Sequence, residues 1–142
     1  MQFSHTSPVL LIFCVIFSTA ITGCAMEVSR TPTQFIPSRL AKDNVIILNQ
    51  EVTVTPSSGY SSTLKTGSTW KYIGQIPEGA VYKILGDVFM ISGRNNHEAY
   101  CVISNNKLVG FYLMAEQSFS PLSNPVPLSI SSTKEGNNHA YQ

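Results

Sequence analysis

Glu98-Ala99-Tyr100-Cys101-Val102-Ile103-Ser104, then Asn105-Asn106, then Lys107-Leu108-Val109-Gly110-Phe111-Tyr112-Leu113-Met114 is the stretch on which the fold turns. Two runs rich in β-branched and aromatic residues flank a pair of asparagines, and asparagine tolerates positive φ. That combination is the signature of a two-residue β-hairpin. The turn sets a register that pairs Ser104 with Lys107, Ile103 with Leu108, Val102 with Val109, Cys101 with Gly110, Tyr100 with Phe111 and Ala99 with Tyr112. An aromatic cross-strand pair such as Tyr100 and Phe111 contributes ~0.5 to 1 kcal/mol, and Gly110 leaves room opposite Cys101. In this register Ile103, Leu108 and Tyr112 share one face, with Val102, Val109 and Phe111 on the other. Both faces are apolar, whereas a half-solvated sheet alternates apolar with polar. Either a second layer covers each face or one face is kept for a partner. Val45–Val54 and Ser118–Ile130 are the segments available as cover.

Working outward from the hairpin, short apolar runs recur at strand spacing: Val45 to Leu48, Val52 to Val54, Thr69 to Ile76, Ala80 to Leu85 and Val88 to Ser92. Turn chemistry separates them. Ile76-Pro77-Glu78-Gly79 suits a type I turn, and Gly86-Asp87 and Ser92-Gly93-Arg94-Asn95-Asn96 punctuate the next runs. Ser57 to Gly67 reads as a Ser/Thr/Gly-rich loop. Several strands of this length predict an all-β domain, a small antiparallel sandwich or barrel, over residues 44–130. Residues 24–43, with Pro32 and Pro37, lack periodicity and read as a flexible tether whose r.m.s. reach as a coil is roughly 25 Å. Residues 131–142 read as a disordered tail.

The start of the chain carries a different signal. An apolar run from Val9 to Ala20 leads into Ile21-Thr22-Gly23-Cys24, with Ala25 next. This resembles the lipobox of bacterial lipoproteins, in which an aliphatic residue and two small residues precede a cysteine. The resemblance implies a signal peptide over residues 1–23, cleavage between Gly23 and Cys24, and a diacylglyceryl group on the Cys24 thiol. Small side chains let the extended backbone enter the processing enzymes, and only a thiol can form the thioether. The match covers the first 25 residues and departs from the pattern at one place, because no Lys or Arg occurs before Arg30. Two or three acyl chains on one residue hold a protein at a membrane, whereas one binds only marginally. Ala25 after the cysteine implies the outer membrane in a Gram-negative source, since aspartate there signals inner-membrane retention. Two other outcomes are open: an uncleaved anchor, for which the run falls short of the roughly 20 apolar residues that span a bilayer, and cleavage after Ala25 to release a soluble secreted protein.

Charge excludes one class of partner. Nine basic and eight acidic residues give a formal net charge of +1. The cations are scattered singly, so the clustered charge that nucleic-acid binding needs is missing. With Cys14 in the leader and Cys24 acylated, Cys101 stands alone and reads as a buried small hydrophobe.

Catalytic patterns are thin. There is no G-x-S-x-G, P-loop, C-x-x-C or H-E-x-x-H in the chain, and no cofactor or metal is implied. His97, Glu98 and Cys101 invite a metal or thiol-hydrolase reading, but strand alternation turns Glu98 away from the other two. At ~3.3 Å per residue His97 lies about 13 Å from Cys101. Zinc needs ligands around one point at roughly 2 Å, and thiol activation by histidine needs hydrogen-bond contact. Trp70 and Tyr72 fall on one strand face, where they either pack the core or stack on a ligand. Arg94, His97 and Glu98 belong to a polar loop entering a strand and are candidate ligand or partner contacts. These features predict a lipid-anchored envelope protein whose domain is a non-catalytic binding or adaptor module with a possible protein partner. The alternatives are a hydrolase-like envelope enzyme with a dispersed site and a soluble secreted protein.

Overall fold

The computed structural model describes residues 24, 26–39 and 44–133. The expected signal peptide, Gly23 of the cleavage site and the tail beyond Thr133 lie outside the described residues. Twelve strands follow in chain order: β1 (Thr31–Pro32), β2 (Ile36–Pro37), β3 (Val45–Leu48), β4 (Val52–Val54), β5 (Ser62–Leu64), β6 (Thr69–Ile76), β7 (Gly79–Ile84), β8 (Met90–Ser92), β9 (Asn96–Ser104), β10 (Lys107–Leu113), β11 (Ser118–Pro127) and β12 (Ile130–Thr133). The protein is all-β, as its pattern predicts. A ten-stranded antiparallel sheet runs β1-β11-β10-β9-β7-β6-β3-β12, with β2 added to β6 and β8 to β9, while β4 and β5 form a separate ribbon. The predicted spans of β3, β4 and β6 match residue for residue; within the stretch read as a loop, Ser62–Leu64 pairs with β4.

Strand β9 organises the molecule because it is buried on both sides: Ala99, Tyr100, Cys101, Val102 and Ile103 are all buried. Its odd-numbered side chains enter the larger core, which Trp70, Phe89, Phe111 and Leu113 fill together with Ile46 and Leu48 from β3 and Leu64 from the ribbon. Residues of β3 and β10 lie far apart in strand order yet share this core, so the sheet curls around it. Phe89 stacks on Phe111 at 5.5 Å between ring centroids and meets Trp70 edge-on at 5.7 Å. The even-numbered face of β9 contributes Tyr100 and Val102 to a second, smaller core with Ile76, Val81, Tyr112 and Phe119.

The hairpin is present, with Asn105 at φ 50° and Asn106 at φ 58°, the left-handed pair that a two-residue turn requires. Its register differs from the expected one past the second pair. Ser104 and Ile103 face Lys107 and Leu108, but then Gly110 pairs with Val102, Phe111 with Cys101, Tyr112 with Tyr100 and Leu113 with Ala99. Val109 is the extra residue of a β-bulge, which moves every later side chain of β10 to the opposite face. Phe111 therefore enters the larger core, and Tyr112 joins the smaller one. The bulge is built at Gly110, where a Cβ would collide with the Ser120 carbonyl oxygen and lie 2.6 Å from the Phe119 ring. Glycine at 110 thus makes room for β11 rather than for Cys101.

Both apolar faces of the hairpin are covered by the chain itself. Cover for the smaller core comes in part from the segment expected to be a free tether. Thr31 and Pro32 pair with Phe119 and Ser118, Ile36 and Pro37 pair with Gln75 and Gly74, and the Phe35 ring between them stacks on Tyr112 at 5.2 Å. Ser131–Thr133, expected to belong to the tail, continue β12 against β3.

Candidate functional site

His97, the second residue of β9, lies on the face that Ala99 and Cys101 extend into the larger core, and it is 5% exposed. A buried imidazole needs partners for its nitrogens. Two carboxylates from remote segments supply them. Glu116, in the turn between β10 and β11, meets Nδ1, and Glu27, from the N-terminal arm, meets Nε2 at 3.0 Å.

Several contacts bring Glu27 there. Val28 is 2% exposed and packs against Gly93, where an added Cβ would lie 2.9 Å from the Val28 side chain. The Arg94 amide donates to the Met26 carbonyl at 3.2 Å, and the Ser29 amide donates to Ser57 Oγ at 2.7 Å. Arg30 donates to Glu27 Oε1 at 3.2 Å and Asn95 Nδ2 to Oε2 at 3.4 Å. The hydrogen bond from His97, with the nearby Arg30 charge in support, holds the Glu27 carboxyl below its ordinary value against a smaller opposing effect of desolvation. Glu116 Oε2 is buried and has no partner among the described residues.

Both imidazole nitrogens donate at once only in the imidazolium. In the neutral ring one nitrogen turns a lone pair toward a carboxylate, unless that carboxylate carries the proton. With Nδ1 and Nε2 both engaged, the ring presents neither nitrogen to a nucleophile. The carboxylates approach it from opposite ends instead of converging on one point, and among the described residues no group of three or more His, Cys, Asp and Glu side chains could hold a metal ion. In this arrangement the cluster acts as a fastener. It joins the arm, β9 and the β10–β11 turn.

The other sequence-predicted contacts do not gather around His97. Trp70 is 1% exposed, donates its indole N–H to Ser68 Oγ at 2.9 Å, and belongs to the larger core. Tyr72 is half-buried and tilts against Tyr82 at 5.6 Å. Glu98 faces the opposite side of β9 from His97, as alternation requires, and pairs with Lys83 at 3.8 Å, whose ammonium lies 5.4 Å from the Tyr100 ring centre. Arg94 is exposed beside the fastener, and Cys24 is exposed at the start of the arm. Cys101 is buried, and burial pushes its thiol well above the ordinary range, which suits an inert core residue.

A second feature is an open cleft of about 240 Å³ between the arm and the β10–β11 turn, lined by Thr33, Gln34, Phe35, Tyr112, Met114 and Gln117. It is smaller than the ~300 to 1,000 Å³ of typical small-molecule sites, and the lining side chains include no charged group. Glu27, Glu116, Val28 and Phe35 are the residues that sequence reasoning missed. Glu27 and Glu116 lie 70 and 19 positions from His97, so no local spacing marks them. No family model, no curated protein and no solved structure matches the chain.

Proposed function

We propose that the protein is a lipid-anchored component of a bacterial envelope whose single β domain serves as a binding or adaptor module. The observation that carries this reading is Ile21-Thr22-Gly23-Cys24 behind an apolar run of a dozen residues' length. An exposed Cys24 at the outer end of the arm is compatible with an acylated first residue. A module reading is further supported by the engagement of both ring nitrogens of buried His97 by Glu116 and Glu27, and by the exposed apolar side chains of Leu85 and Val88 on the β7–β8 connection and of Met90 at the start of β8. Such a patch suits contact with a protein partner.

The test is mass spectrometry of the mature N-terminal peptide from membranes of the native host, alongside a Cys24→Ser variant. A peptide beginning at acylated Cys24, lost in the variant, is the expected result. An unmodified peptide beginning at Met26 would mean a soluble secreted protein and would end the proposal.

A further inference from the structure

The docked arm fixes how far the domain can stand from an anchor on Cys24. Glu27 is bonded to His97 and Val28 is buried, so only Ala25 and Met26 separate Cys24 from residues held by the domain. Three residue steps reach at most about 11 Å, against the roughly 25 Å of a free 20-residue coil. A domain fastened this way cannot float clear of the lipid headgroups.

The surface nearest the anchor is equally specific. Three segments meet there: the arm at Met26 to Ser29, the loop at Ser57 and Ser58, and the β8–β9 turn. The Ser29 amide donates to Ser57 Oγ, the Ser58 hydroxyl donates to the Ser92 carbonyl at 2.5 Å, and the Arg94 amide donates to the Met26 carbonyl. On these same segments Met26 is 61% exposed, Tyr60 is 47% exposed and Arg94 is exposed. An apolar chain, an aromatic with a polar tip and a cation are the residue types that settle at a bilayer interface beside anionic headgroups.

Resting on the lipid-anchor reading, we propose that this corner, which carries Met26 and Arg94 and from which the loop leads on to Tyr60, lies against the headgroups of the membrane that holds Cys24. The Asn105-Asn106 turn then points away. The nine residues of β9 separate the two ends, about 30 Å at strand rise.

The test uses the full-length acylated protein in vesicles of phosphatidylethanolamine and phosphatidylglycerol that carry a headgroup nitroxide. A fluorophore is placed at Asn96→Cys, beside the corner, or at Lys107→Cys, beyond the far end of β9. Acylation blocks Cys24 and burial protects Cys101. Several-fold stronger quenching at position 96 than at 107 is expected. Val28→Ser, and independently Glu27→Ala at an exposed position, should release the arm and bring the two sites toward equal, weak quenching. Equal quenching in the acylated parent protein overturns this proposal alone, as does a quenching difference that survives both arm variants. If intact mass shows no acyl chains, the anchor reading fails and this one falls with it.

Discussion

The two faces of β9 are covered by different means. The larger core is closed by long strands and a two-stranded ribbon, whose side chains alternate as buried Val52, Val54 and Leu64 with exposed Thr53 and Thr63 bonded across at 3.0 Å. The smaller core is finished by two strands of two residues each and one aromatic ring, Phe35. The first is assembled by periodic apolar burial. The second depends on a strap pinned at its N-terminal end by Val28 and the Glu27–His97 bond and at its other end by the pairing of Ile36 and Pro37 with β6. Continuous ladders and many apolar contacts make a cooperative unit, whereas a strap with few contacts opens locally at lower free energy.

The largest expected effect is on the first face. Phe111→Ala removes a fully buried ring that Phe89 stacks on, and it should cost ~3 to 5 kcal/mol in a chemical denaturation experiment. Next is the bulge that sorts Phe111 and Tyr112 between the faces. Gly110→Ala drives a Cβ into the Ser120 carbonyl and should cost ~1 to 3 kcal/mol, with a shifted β10–β11 register visible by NMR. Little or no change would mean that the bulge tolerates a side chain.

Phe35→Ala probes the other face. Phe35 is half-buried and its main aromatic contact is Tyr112, so a loss of about 1 to 2 kcal/mol is expected. A loss equal to that of Phe111→Ala would erase the distinction between the faces.

The smallest effect is local and pH-dependent. A carboxyl held below its ordinary value of 4.5 in the docked state contributes its stabilisation above that value and loses it as pH falls through the lowered one. Protection of the Ser29 and Arg94 amides from hydrogen exchange, taken relative to intrinsic rates, should therefore fall in that acidic range. Protection at Val102 should persist there, and Glu27→Gln should flatten the dependence. Parallel loss at all three amides would place arm and core in one unfolding unit.

Legibility followed the range of the forces involved. β6, Thr69–Ile76, is readable because β-branched and aromatic residues lie between a Gly-rich loop and Pro77-Glu78. The Asn105-Asn106 turn is readable because few residue pairs accept positive φ twice. Register past Leu108 was hidden, because the bulge answers to β11 pressing on Gly110 from ten residues further along. The arm was hidden because Thr31–Pro32 and Ile36–Pro37 are too short to show a period and carry prolines that strand edges accommodate. Arg94, His97 and Glu98, within five residues of sequence, were dispersed to an exposed turn, a buried fastener and the opposite strand face.

Alone, then, the amino-acid sequence determined the all-β class, the spans of its best-patterned strands and the tight turn, since these rest on side-chain alternation and backbone φ within a few residues. Tertiary structure decided the rest: which face receives Phe111, that residues 26–38 lie on the domain, and that His97 sits between Glu27 and Glu116. Each depends on a contact between segments remote in the chain, where burial and hydrogen-bond satisfaction select the partner and local pattern carries no trace of it.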